Sequence, residues 1–498
     1  RYTQMREYSI GRRLVAGYLR QPYEWFLNRH SADLGKSILS EAQQVTSYAL
    51  IPMMQFIAHA VVVLALLGLL IVMDPILALT ASVVLGGTYA LLYIALRRYL
   101  CRIGADRVRA NRKRFEVVQE AFGGIKDVKV AGLEGAMVDR FDGPAKRFAH
   151  CQASSQVAGQ LPRFALELVA FGGILAVVLY LIASRGGLQE ALPIIALYAF
   201  AGYRLMPALQ QVYVNLSKMR FAGSALDALH HDFTSLDKNG GERLNRHRPE
   251  PMGLNETIRL DQVHYTYPNA EQPALNSLSL TISAHTTIGL VGATGSGKTT
   301  TVDIILGLLS PQGGQLTVDG EPITLTNVSA WRRTVGYVPQ HIYLADDTVA
   351  ANIAFGLPSE RIDMAAVERA ARIANLHDFV MGDMPQRYHT LVGERGVRLS
   401  GGQRQRIGIA RALYHDPELL IMDEATSALD NLTEQAVMEA VNNLGNRKTI
   451  ILIAHRLSTV RKCDQIFMLE KNGKLTGQGT FDELTESNES FRAMACRH

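Results

Sequence analysis

The sequence predicts a multidomain protein: an all-α polytopic transmembrane half, then an α/β half built on a phosphate-binding loop. Three observations predict it. Residues 49–73, "ALIPMMQFIAHAVVVLALLGLLIVM", contain no Asp, Glu, Lys or Arg. Basic residues crowd some of the segments between such runs and avoid others. Beyond residue 253 the pattern changes to short apolar runs bounded by glycine or polar residues, and one of them leads into "GATGSGKT". A chain of 498 residues is too long for one ordinary domain. A net charge of +5 neither requires nucleic acid nor excludes a membrane surface, and no nucleic-acid partner is expected. The four cysteines form no CxxC pair, which argues against a zinc site or a disulfide framework.

The membrane half is assigned to 1–235. At 1.5 Å per residue, 49–73 is long enough to cross a hydrocarbon core of about 30 Å. Core helices of soluble proteins are rarely apolar on every face for so long. Further spans are read at 76–96, 164–184 and 188–206. Residues 97–147 carry Arg97, Arg98, Arg102, Arg107, Arg109, Arg112, Lys113 and Arg114, and 1–36 are basic too. The positive-inside rule places both segments, and everything after about 204, in the cytoplasm. Helical patterning continues through the basic stretch to Gly123–Gly124, so the spans are expected to run on well past the bilayer. "GGIKDVKVAG" (123–132) then makes a short crossing before another helix returns. A polar stretch with tandem glycines, 236–253, reads as a linker.

The second half, 254–498, opens its chemistry at "TTIGLV-GATGSGKT-TTVDIILGLL", a strand, a turn and a helix. This is G-x-x-x-x-G-K-[ST] in its proper context. Gly292, Ala293, Thr294, Gly295, Ser296 and Gly297 let backbone N–H groups converge on phosphate oxygens, and the helix start at Thr299 and Thr300 adds its dipole. Lys298 is placed to reach the β- and γ-phosphates, and Thr299 a Mg²⁺ ion. "LLIMDE" (419–424) ends a buried strand in two acids. Asp423 is placed to hold Mg²⁺ through its water shell, and Glu424 to polarise an attacking water. His455, at the end of the strand in "LIAHRL", is read as a γ-phosphate sensor.

These pieces closely resemble the nucleotide-binding domain of ATP-binding cassette (ABC) transporters. "LSGGQ" (399–403) is that family's signature sequence, and the family's motif order is present throughout 254–498. The resemblance implies ATP and Mg²⁺ as cofactors. It implies adenine stacking by Tyr267 in "HYTYP", and a catalytic and metal-contacting role for Gln340 in "YVPQHIYL". "VGERG" (392–396) precedes the signature, as in exporters, and "SALD" (427–430) matches the loop across the dimer interface. In the family two cassettes face each other head to tail. Ser400, Gly401, Gly402 and Gln403 of one chain are then expected to close on ATP held by the other. One cassette per chain implies a dimer. Intact catalytic positions favour a homodimer, with a heterodimer the alternative.

The membrane half is similar to exporter-type half-transporters, which have six spans against four here. "QPYEWFLNR" (21–29) looks like the first coupling helix and 123–132 like the second. The chain is therefore expected to start at the end of span two, with the first two spans absent from it. "PYEWFLNRHSADL" and "YRLMPALQQVY" resemble bacterial lipid-linked oligosaccharide flippases. The expected function is ATP-driven export or flipping of a lipid-linked or amphipathic substrate across a membrane, the bacterial inner membrane, with the ATPase in the cytoplasm. Peptide, lipid and multidrug exporters share the architecture. A non-transporting ATPase is opposed by the uncharged spans, and a channel-like regulator by an intact Glu424. Two cations lie near the inner ends of the last spans. Arg163 has Glu167 one turn away to pair with, whereas Arg204 has no acid within one turn and is the better grip for an anionic head group.

Overall fold

The computed structural model describes every residue except Arg1, Asp74, 185–187, 239–248, Asn269, 394–395, 425–433, 435–436, 441–446, 455–456 and 496–498. The chain divides into two compact units, Arg1–Gln21 with Trp25–Arg243, and Pro22–Glu24 with Leu244–His498.

The first unit is a bundle of long helices. Tyr2–Leu19 comes first, and Ala32–Met73 forms one continuous helix. Two stretches of that helix, Lys36–Glu41 and Thr46–Leu50, are wound as π-helix. The second lies just before Pro52, which has no N–H to donate and whose ring crowds the preceding turn. Pro75–Gly123 begins on a proline, whose missing N–H costs nothing in the first turn. It ends where Gly124 leaves the helical region at φ −102°, and a short helix, Ile125–Val130, follows. Gly132, at φ 63°, turns the chain into Glu134–Ser184, and Leu188–Lys238 completes the unit. Helices of 49 to 51 residues extend about 75 Å, more than twice a hydrocarbon core.

Two described helices, Ala32–Met73 and Ala78–Gly123, are long and apolar enough to cross a membrane. Their most apolar windows are 11% and 0% buried within the chain, unlike soluble-core helices, so the apolar surface faces outward. The polar ends pack differently. Arg107 and Glu41, 3% and 1% exposed, form an ion pair at 2.8 Å, and Asn111 adds a hydrogen bond to the same carboxylate. Arg147 pairs with Asp106 and Arg112 with Asp33, both at 2.9 Å. Three arginines of 97–147 thus staple helices together. Gly104 allows the closest approach, since a Cβ there would stand 2.3 Å from the carbonyl oxygen of Phe221.

The second unit is α/β. Strands β1 (Thr257–Tyr265), β2 (Leu275–Ser283), β4 (Gly313–Val318) and β5 (Glu321–Pro322) form an antiparallel sheet in the order β2-β1-β4-β5. Strands β3 (Thr287–Val291), β6 (Val335–Val338), β7 (Leu419–Asp423), β8 (Thr449–Ile453), β9 (Gln465–Glu470) and β10 (Lys474–Gly479) form a second, in the order β10-β9-β3-β8-β7-β6. The second sheet is parallel except at its β10 edge. β3 and β8 are buried at all five positions, which explains their unbroken apolar runs. Helix Lys298–Ile305 follows β3, and helix Gly401–Leu413 precedes β7. The carboxyl ends of β3, β6, β7 and β8 share one edge, where open α/β sheets bind ligands.

Candidate active site

The loop after β3 turns through three glycines at positive φ, Gly292 (151°), Gly295 (80°) and Gly297 (93°). Side chains at two of them are impossible. A Cβ on Gly292 would stand 2.1 Å from the Leu469 carbonyl oxygen, and one on Gly297 2.8 Å from that of Ala274. At Gly295 nothing lies within 4 Å, so only the left-handed torsion there favours glycine. The Lys298 Nζ donates to the carbonyls of Gly292 and Ala293 at 2.7 and 3.0 Å, curling over the loop it serves. Burial pushes its pKa down, and Glu424 and Asp423 partly oppose that.

A cleft of about 590 Å³ opens at this point. It is lined by the loop from Thr294 to Thr300, by Tyr267 on one flank, and by Gln340, Asp423 and Glu424 on the other. Tyr267 stands edge-on to Tyr265, and its hydroxyl lies 3.2 Å from the Thr300 Oγ1. Gln340, just past β6, donates its amide to the Glu424 carboxylate at 2.7 Å. Asp423 ends β7, and Glu424 follows in left-handed backbone at φ 47°. Such a conformation costs a non-glycine residue about 1–3 kcal/mol, so the surroundings must hold it. Asp303, on the helix after the loop, is buried. Burial first, and the Asp423 charge second, raise its pKa to about 6.

The signature residues stand apart from this cleft. Ser400 caps helix Gly401–Leu413 and Gln403 closes a capping box, with bonds of 3.2 and 2.8 Å between them. Gly401 lines a second cleft, of about 460 Å³, with Gln340–Tyr343. His455 and the 427–430 loop lie outside the described residues. Sequence reasoning missed Asp303 and Gln405. The signal for Gln405 was its phase, a glutamine on the same helical stripe as the buried Ile409 and Ala412.

Comparison with known proteins decides what this arrangement is. Residues 275–427 match the ABC transporter family, and residues 3–212 match the ABC transporter transmembrane region. An ATP-dependent lipid A-core flippase of Cupriavidus metallidurans is 33% identical over 96% of this chain and 79% of its own length. The chain belongs to the ABC transporters. A second protein of that name, from Bordetella pertussis, is 34% identical over 94% of this chain and 73% of its own length. A solved structure of a bacterial Atm1-family ABC exporter with ATP bound covers 100% of this chain and 86% of its own, with a TM-score of 0.85. At 24% identity it speaks for the fold.

This ABC transporter is therefore a membrane protein and an ATP-driven exporter, with ATP hydrolysis coupled to transport. Its half-transporter architecture implies a dimer. The residues fit a nucleotide. The Ser296 Oγ is buried at the crown of the loop with no hydrogen-bond partner among the described residues, which suits a phosphate oxygen. The donors Lys298, Thr299 and Thr300 converge on the same cleft.

Proposed function

We propose that the chain pairs with a second copy of itself to export an amphipathic lipid with an anionic head group across a bacterial inner membrane. The observation that carries the dimeric part is that Ser400–Gln403 do not line the cleft that holds the loop, Asp423 and Glu424, and Gly401 lines a second cleft that meets the first at Gln340. A site with phosphate donors and catalytic acids but no signature turn is half a site. In this reading Ser400, Gly401 and Gly402 open a helix whose N–H groups meet the γ-phosphate held by the other protomer.

Each residue then has a task. The 292–300 loop cradles the phosphates, Lys298 neutralises β- and γ-oxygens, and Tyr267 packs against the base. Thr299, Gln340 and Asp423 would hold Mg²⁺, which when bound would offset charge on the phosphates. Glu424 takes the proton of the attacking water as general base, and Gln340 orients its carboxylate. His455 serves as the γ-phosphate sensor.

Two supports favour a lipid cargo. The relatives at 33% and 34% identity are named as lipid A-core flippases. In the membrane unit, Arg163 pairs with Glu167 at 2.8 Å, whereas Arg204 is exposed and has no ion pair among the described residues. Arg204 is left to grip a phosphate at the inner leaflet. The narrower reading, a lipid-linked oligosaccharide, rests on the phrases at 22–34 and 203–213. Reconstituted protein, tested with lipid A-core, a polyprenyl-pyrophosphate sugar, a zwitterionic phospholipid and a peptide, separates these cargoes. Stimulation of ATPase by the first or second supports the proposal. Stimulation by the peptide alone would remove the lipid reading.

A further inference from the structure

Glu424 is gripped by two glutamines from different parts of the chain. Gln340 donates to its carboxylate at 2.7 Å. Gln405 donates its side-chain amide to its main-chain carbonyl at 3.2 Å. The Glu424 N–H, in turn, donates to the carbonyl of Ile453 at the end of β8, 3.1 Å away. Gln405 is 3% exposed and sits on helix Gly401–Leu413, the helix that Ser400 caps. One element therefore carries the signature turn at its start and, little more than one turn on, an amide on the catalytic loop of its own chain.

The helix is not free to slide past that loop. At Gly408 a Cβ would stand 2.4 Å from the Ile342 side chain, so the helix presses directly on the segment after Gln340. Arg411 donates to the Tyr343 carbonyl and to that of Asn352, both at 2.8 Å. The helix, the 340–343 segment and Glu424 are thus joined by direct contacts. Glu424 occupies a backbone conformation a non-glycine residue rarely keeps alone, and the bond from Gln405 meets it at the carbonyl next to that strained torsion.

We propose that Gln405 is a positioning residue for Glu424, and that it joins the two nucleotide sites of the dimer. When the signature turn of one protomer engages the nucleotide of the other, the displacement of its helix reaches that protomer's own Glu424 through the Gln405 amide. Loading at one site then sets the catalytic geometry at the other. The inference rests on the head-to-tail dimer and on Glu424 as the general base.

The test is steady-state ATPase of the purified full chain, with Gln405→Met and Gln405→Glu, each also combined with Glu424→Gln. Both single changes remove the amide donor at similar volume. The expected result is kcat lower by about tenfold, KM for ATP within about twofold, and a Hill coefficient falling toward one. In the Glu424→Gln background neither change lowers turnover further, because both act through one group. A purely additive loss, or a rise in KM with kcat intact, would overturn the proposal. So would loss of ATP-analogue binding in both variants, which would make Gln405 a folding residue. If Glu424→Gln alone keeps normal turnover, the general-base assignment fails instead. If Glu424→Gln is inactive while Gln405→Met is normal, only the positioning role fails.

Discussion

The proposed hydrolysis turns on Glu424. This residue follows Asp423 at the end of β7, accepts from Gln340, and holds a left-handed torsion. Glu424→Gln keeps the shape and loses the proposed general base. ATP binding is expected to persist while hydrolysis falls on the order of 10²-fold or more, read by phosphate release and nucleotide binding on one preparation. Asp303 gives a second prediction. Its folded pKa of about 6 exceeds the usual aspartate value of 3.8, so the folded state holds its proton more tightly than the unfolded one. Stability of the nucleotide-free protein is therefore lost as pH rises from about 4 to 6, and the penalty is complete above 6. Asp303→Asn should raise stability by about 1–3 kcal/mol at pH 8 and little at pH 4, measured by denaturant unfolding. Residues such as Lys298, Asp423 and Glu424 were legible in the sequence because contiguous motifs carry them. Asp303 and Gln405 were not, because their neighbours come from strands and loops far along the chain.

Among the elements, helix Gly401–Leu413 shows most clearly how local sequence sets a site. Its capping box satisfies N–H groups that no intrahelical carbonyl reaches. Ser400→Ala should cost about 1 kcal/mol and Ser400→Gly only a few tenths, seen as shifts in the unfolding midpoint. Both should lower ATPase, since the hydroxyl also faces the partner's nucleotide in the proposed dimer. The buried parallel strands were readable from apolar runs bounded by glycine, and the long helices from patterning that continued past the apolar stretch. The π-wound stretches of Ala32–Met73 were hidden, apart from the hint given by Pro52, because helical winding responds to packing that hydropathy does not report. The basic run 97–147 was read only as a marker of orientation, and that reading concealed that Arg107 is buried against Glu41. Arg107→Ala should destabilise by about 3–5 kcal/mol, because it leaves Glu41 charged, buried and short of its partner.

At the scale of the whole molecule, the account joins an ATPase dimer to a lipid path. Arg204→Ala should bring ATPase stimulation by lipid A-core down to the lipid-free rate, and Arg204→Lys should restore only part of it, having lost the planar fork. Unchanged stimulation would leave Arg204 as an interface anchor. The fold class and the family were legible from hydropathy and motif order. The cargo was not, because no contiguous motif in the membrane half names it and the proposed grip, Arg204, is a single residue on a long helix. In the proposed dimer each nucleotide is shared between two chains, and a cross-link between the phosphate loop and the signature turn reads that sharing. Ser296→Cys and Ser400→Cys are introduced together into the full chain, with the exposed Cys101 replaced by serine. The account predicts a disulfide between chains that forms with ATP and Mg²⁺ in the Glu424→Gln background. Cross-linking within one chain, or equally well without nucleotide, would contradict it.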